Sequence, residues 1–154
     1  MGVETNFPVM IEARRAWLSL LAKSPAASVE RLWNGLNIAP DHTLLRNPEI
    51  GAVMVRGRAG AVGAAFNLGE MSVTRASVKL GCGTVGHGYV QGRSKTHALQ
   101  AGLIDALMQT DLAQDVETAI LIPLGQEMDA KKKIRASKAA ATKVEFLTMV
   151  RGED

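Results

Sequence analysis

Cysteine is nearly absent from this chain: Cys82 is the single one in 154 residues. A lone thiol excludes an internal disulfide framework and any multi-cysteine zinc site. Aromatic residues make up only 4%, so the core has to be built from Leu, Val, Ile, Met and Ala. No apolar run approaches the roughly 18 residues of a membrane span. The stretch 10–21 carries Glu12, Arg14 and Arg15 within its apolar pattern, which a signal-peptide core would not. Net charge is only +3, far below a dedicated DNA-binding arm yet compatible with an anionic small molecule or partner. The three histidines, His42, His87 and His97, lack the spacing of a metal pair. The expected setting is soluble, reducing and cytoplasmic.

What is present is ample for a core. Hydrophobic residues are 47% and charged residues 21%, which excludes intrinsic disorder. The length is that of one ordinary domain spanning 1–154. Met10, Ala13, Trp17, Leu20 and Leu21 recur at helical spacing over 8–23. Ser24 before Pro25 predicts a second helix start, followed by the stripe Val29, Leu32, Trp33 and Leu36. Both Trp residues read as core on this periodicity. Residues 50–58, 70–80 and 85–93 are β-like and separated by Gly-bearing turns, with 60–69 read as a loop of small residues. Ser94 can cap a helix whose apolar positions are Ala101, Ile104, Leu107 and Met108. Asp115 opens another, which Pro123 should break or kink. Residues 124–143 read as an Ala- and Lys-rich helix with Lys131, Lys132, Lys133 and Arg135 solvated, and 144–150 as a last strand. The fold class is therefore α+β: a mainly antiparallel sheet of about four strands, flanked by N-terminal helices and by helices of the C-terminal half.

The strands do not alternate cleanly. Over 50–58, Ile50, Ala52 and Met54 share a face with Arg56 and Arg58, while Val53 and Val55 occupy the other. A solvated antiparallel face should be mostly polar. Apolar residues on both sides imply that a partner chain covers what the chain's own helices do not.

Several motifs have two readings. Gly81, Gly83 and Gly86 spell GxGxxG, but the third glycine leads into a strand and not a helix, so a hairpin turn is the better reading than a dinucleotide site. Cys82 in the same turn has no base oriented on it. His87 shares a strand face with Val85, Tyr89, Gln91 and Arg93, opposite the bare face of Gly86, Gly88 and Gly92. That pattern fits sheet packing with one polar edge, or close approach of a ligand or partner to His87 and Arg93. Arg56, Arg58, Arg75, Arg93 and Arg151 lie in or at the ends of strands. Either they pair with Glu49, Glu70 and Glu145, or some converge on an anion, since guanidinium groups suit phosphate oxygens. No nucleophile, base or metal set is assembled, so the chain reads as a binding or scaffold subunit.

Three stretches carry a family resemblance. They are Phe66-Asn67-Leu68-Gly69-Glu70-Met71 running on to Val73-Thr74-Arg75, then Gly86-His87-Gly88-Tyr89-Val90-Gln91-Gly92-Arg93, then Phe146-Leu147-Thr148-Met149-Val150-Arg151-Gly152. With Leu45-Arg46, Pro48-Glu49 and Leu103-Ile104-Asp105-Ala106-Leu107, the chain resembles the PhnG subunit of the bacterial carbon–phosphorus lyase system from about Arg15 onward. Leu147 departs from it, since the family tends to have a second Phe there. The resemblance implies a heteromeric core complex with PhnH, PhnI and PhnJ. With PhnI, PhnH and PhnL it implies displacement of adenine from ATP by a phosphonate, giving α-D-ribose 1-methylphosphonate 5-triphosphate. It implies no cofactor on this chain, ATP and phosphonate being substrates of the complex, and a catalytic role placed chiefly in PhnI. Arg75, His87, Arg93 and Arg151 are the candidate anion or partner contacts, and no residue here is expected to be catalytic. A direct contribution of those side chains to a shared triphosphate or phosphonate site is the alternative. A nucleic-acid-binding module would rest on charge alone, without an aromatic platform.

Overall fold

A computed structural model describes residues 7–60 and 62–143. Two helices, α1 (Phe7–Lys23) and α2 (Ala26–Leu36), precede three strands: β1 (His42–Gly57), β2 (Phe66–Leu80) and β3 (Val85–Gln91). Then come α3 (Lys95–Leu107), the single turn α4 (Ala113–Val116), a π-helical turn (Glu117–Leu121) and α5 (Ile122–Ala141). The strands form one antiparallel sheet in the order β1-β2-β3. The class is α+β as the pattern predicts, with three strands among the described residues. The strand expected at 144–150 lies outside them.

Helix α3 is the centre of the core. Ten of its thirteen residues are buried. Its start is fixed locally: Ser94 Oγ accepts the His97 amide at 3.1 Å, the cap that the sequence predicts. Its small residues Ala98, Gly102 and Ala106 lie against Gly86 and Gly88 of β3. A Cβ on Gly86 would stand 2.0 Å from the Gly102 carbonyl oxygen, and one on Gly88 would stand 1.9 Å from that of Ala98. The bare glycine face thus receives a close backbone approach, and the backbone is the chain's own helix. Val78, Val90, Ala101, Ile104 and Leu107 complete this layer, joined by Leu21, Val29, Val116, Ile120 and Leu124 from the other helices. Trp17 and Trp33 pack against the cluster half-buried.

Four sequence expectations need correction. Ser24 does not cap α2, whose N-cap is Pro25 without a side-chain bond. Its hydroxyl instead donates back to the Leu20 carbonyl at 2.7 Å and so closes α1, because an i−4 carbonyl is within reach before Pro25 diverts the chain. Strand β1 begins eight residues earlier than expected, at His42, and runs through Pro48. An edge strand tolerates a residue with no ladder N–H, and register shifts between Leu44 and Arg46 and between Arg46 and Glu49 absorb the irregularity. Strand β2 likewise begins at Phe66, inside the stretch read as loop. Finally, Pro123 neither ends nor interrupts the helical run: it sits in the first turn of α5, where its missing N–H is tolerated, and the helix widens to π just before it.

Candidate functional site

The sheet has one covered face and one open one. Along β3, Gly86, Gly88 and Val90 are buried against α3, whereas His87, Tyr89 and Gln91 are exposed. On β2 the open side carries Arg75, Ser77 and Lys79. Register then sets neighbours: Arg75 lies opposite Glu49 on one side and Tyr89 on the other, and Ser77 lies opposite His87. Glu49 accepts from Arg75 Nε at 2.7 Å and from Arg46 Nη1 at 2.5 Å. The Arg46 hydrogen bond, then the Arg75 one, hold its carboxyl below the usual carboxylate range. Ser77 Oγ and His87 Nδ1 are 3.0 Å apart. A polar row, Arg46, Glu49, Arg75, Ser77 and His87, therefore crosses all three strands and is open to solvent.

Of the four residues singled out from sequence, two meet here. Arg75 and His87 share the open face two register positions apart, each already engaged by a neighbour. Arg75 pairs with Glu49, one of the acids named for it. Arg93 stands apart: it follows the turn at Gly92, beyond the far end of β3, exposed and without an ion pair among the described residues. Arg151 lies outside the described residues. The Gly81–Gly83 segment is a hairpin turn, as read: Leu80 N–H bonds the Thr84 carbonyl at 2.9 Å, and Gly83 takes φ 96°. Cys82 is exposed there, with its thiol pKa lowered chiefly by a hydrogen bond with the Thr84 hydroxyl.

Asp105 was part of a quoted motif but received no role from sequence. Its side chain is fully buried, and from α3 it binds two separated elements, α1 and β3. Arg14 of α1 donates through Nε at 3.1 Å and Nη2 at 2.7 Å, and Trp17 Nε1 donates at 2.9 Å. The fourth donor is the backbone amide of His87 at 2.9 Å. A buried carboxylate needs such partners. Here it also occupies an N–H on the outer side of β3, which would otherwise be a free sheet edge. The His87 backbone is thereby held beneath its exposed ring. Ser77 was missed as well, although alternation of Arg75, Ser77 and Lys79 marks the solvent face of β2.

The larger unsatisfied feature is apolar. β3 pairs with β2 only over Val73–Lys79, so the pairs from Ala52 and Ser72 to Gly57 and Phe66 form a two-stranded ribbon roughly 20 Å long at strand rise. No residue of β1 is buried. Leu44, Leu45, Ile50, Met54, Phe66 and Leu68 are all exposed, from 41% at Ile50 to 61% at Leu68. A two-stranded hairpin is at best marginally stable in water, and apolar side chains concentrated on one mark an interaction surface. The surplus read from the strand pattern therefore exists: Met54, Phe66 and Leu68 stand on the ribbon, and Leu44, Leu45 and Ile50 on the stretch of edge strand β1 before it, while the row crossing β2 and β3 over the core is mostly polar. Among the described residues no group of His, Cys, Asp and Glu could hold a metal ion, and no helix is long and apolar enough to cross a membrane.

Fold and surface together define a helix-backed antiparallel α+β protein that turns a polar sheet face and an apolar ribbon outward. Its family follows from comparison with known sequences. A family model described as "Phosphonate metabolism protein PhnG" matches residues 12–152. The chain is also 40% identical over 153 residues to the "Alpha-D-ribose 1-methylphosphonate 5-triphosphate synthase subunit PhnG" of Rhizobium meliloti (strain 1021), covering 99% of this chain and 98% of the relative. The chain belongs to the PhnG family.

Proposed function

We propose that this chain is an accessory subunit of a cytoplasmic synthase that makes α-D-ribose 1-methylphosphonate 5-triphosphate, and that its contribution is structural. The exposed apolar ribbon carries the reading. Its Met54, Phe66 and Leu68, with Leu44, Leu45 and Ile50 earlier on β1, are half-exposed; each is still able to contribute about 1 kcal/mol on full burial, so they are costly to leave in water and useful in an assembly. The family and the near full-length relative supply the reaction context. PhnI, PhnH and PhnL are the expected partners for displacement of adenine from ATP, and PhnJ joins them in the wider core complex. Such a displacement needs the triphosphate held, the departing adenine protonated and the anomeric centre stabilised.

The test is reconstitution. The purified chain alone should leave ATP and methylphosphonate unchanged, and adding the PhnI, PhnH and PhnL subunits should release adenine. Turnover by the lone chain, or undiminished turnover when it is omitted, would refute the role. A direct contribution of Arg75, His87 or Arg93 to substrate binding is separable: alanine at each would then lower the synthase rate while the complex still assembles. If the assembled variants turn over normally, these side chains serve contacts between subunits or none.

A further inference from the structure

Helix α5 begins as part of the core and ends as something else. Leu124 is buried, Glu127 pairs with Arg31 of α2, and Met128 Sδ meets the Ser24 hydroxyl at 3.5 Å. From Asp129 to the end of the helix at Ala141 every residue is exposed. Nothing in the tertiary structure explains a helix there; its Ala, Lys and Arg content does.

Charge on this projecting segment is segregated. Residues 130–141 hold five basic side chains, Lys131, Lys132, Lys133, Arg135 and Lys138, and no acid. With eighteen basic and fifteen acidic residues in all, residues 130–141 carry +5 and the remainder of the chain −2, or +4 and −1 when Asp129, where the projection begins, is counted with them. Two of the five have an acid four residues earlier, Lys131 after Glu127 and Lys133 after Asp129. The surplus is Lys132, Arg135 and Lys138, which helical spacing places along one side of the arm. A merely solvated helix is served by interspersed signs; like charges crowded without compensation destabilise it.

Resting on the subunit role proposed above, we infer that the projecting half of α5 is a docking arm that lies along an acidic surface of a neighbouring protein subunit, with Lys132, Arg135 and Lys138 facing its carboxylates. Charge complementarity selects the occupant. A second copy of this chain would bring the same +5. A nucleic acid would find no aromatic side chain on α5 to stack upon, and a molecule otherwise net negative.

The experiment uses the reconstituted complex and a carbodiimide, which joins a lysine amine directly to a carboxylate with loss of water and no spacer. Cross-links from Lys132 or Lys138 to Asp or Glu of another subunit are expected. The triple variant Lys132→Glu, Arg135→Glu, Lys138→Glu should bind the other subunits about tenfold or more weakly at low salt. It should also lose most of the salt dependence that the unaltered chain shows between about 50 and about 500 mM. Because the three side chains are exposed, the variant's thermal melt should be unchanged, and the neutral triple Gln variant should fall between. Equal affinity of the triple Glu variant, with no such cross-links, overturns the inference and leaves the subunit role standing. Failure of the unaltered chain to join the complex overturns both. Binding of a DNA or RNA oligomer by the lone chain, lost in the variant while assembly is unaffected, overturns it in favour of a nucleic-acid partner.

Discussion

Gly88→Ala should be among the most damaging single methyl additions in the molecule. The new Cβ would lie 1.9 Å from the Ala98 carbonyl oxygen and 2.9 Å from the Gly102 amide nitrogen. Ordinary contact begins near 3.4 Å, so α3 would have to retreat by about 1.5 Å. Both obstacles are helix backbone, which cannot rotate away as a flexible side chain can. Retreat also loosens Val78, Val90, Ala101 and Ile104, all buried in the same layer. A cost of about 3 kcal/mol or more follows, at the upper end of overpacking effects. For a chain of this size that is a fall of roughly 6 to 12 °C in melting temperature. Gly35→Ala is the matched control, with the same added methyl in α2 and nothing within 4 Å. It should stabilise by about 0.5 kcal/mol through helix propensity. Calorimetry or a circular-dichroism melt on both variants decides the matter. Gly88→Ala melting within a degree or two of the unaltered protein would refute the close helix–strand packing on which the fold description rests.

Other expectations are shorter. Asp105→Ala strands two donors within the fold, the Trp17 indole N–H and the His87 amide, while Arg14, at 34% exposure, can rehydrate. At about 1 to 3 kcal/mol per orphaned donor, urea titration should show a loss of about 3 kcal/mol with a change in Trp fluorescence. A loss below about 1 kcal/mol would mean that the carboxylate does not tie α1 to the sheet. His97 is 2% exposed, and burial lowers its pKa against the raising effect of the Leu21 carbonyl that its Nε2–H meets at 3.0 Å. The folded state therefore resists protonation while the unfolded chain takes up its proton near pH 6.5. Its contribution is complete above that pH and declines as the pH drops below it, by at most about 1.4 kcal/mol per unit. Unfolding measured between pH 7.5 and 5.5 should show the decline in the unaltered protein and a smaller one in His97→Gln. Equal slopes would remove His97 as the cause.

Local chemistry was legible in the sequence, and long-range pairing was not. The Ser94 cap and the turn at Gly81–Gly83 depend on residues within a few positions, and both are as read. Ser24 shows how a local reading goes astray, since two nearby partners compete for one hydroxyl and the carbonyl behind it wins. The start of β1 was hidden because Pro48 and the flanking register shifts break the alternation by which strands are recognised. Asp105 could not be assigned from spacing, as its donors lie 18, 88 and 91 residues away. The apolar excess was visible in the pattern of Ile50, Met54 and Val53, but that Met54 and Val53 stand on a ribbon beyond β3 depends on where β3 stops pairing.

Burial of that ribbon by another subunit is the central claim, and hydroxyl-radical footprinting tests it directly. Oxidation of Met54, Phe66 and Leu68 should be extensive in the isolated chain and strongly suppressed after assembly with the other synthase subunits, while Met10 near the start of α1 serves as an exposed reference. Equal oxidation of the three ribbon side chains before and after assembly would contradict the account.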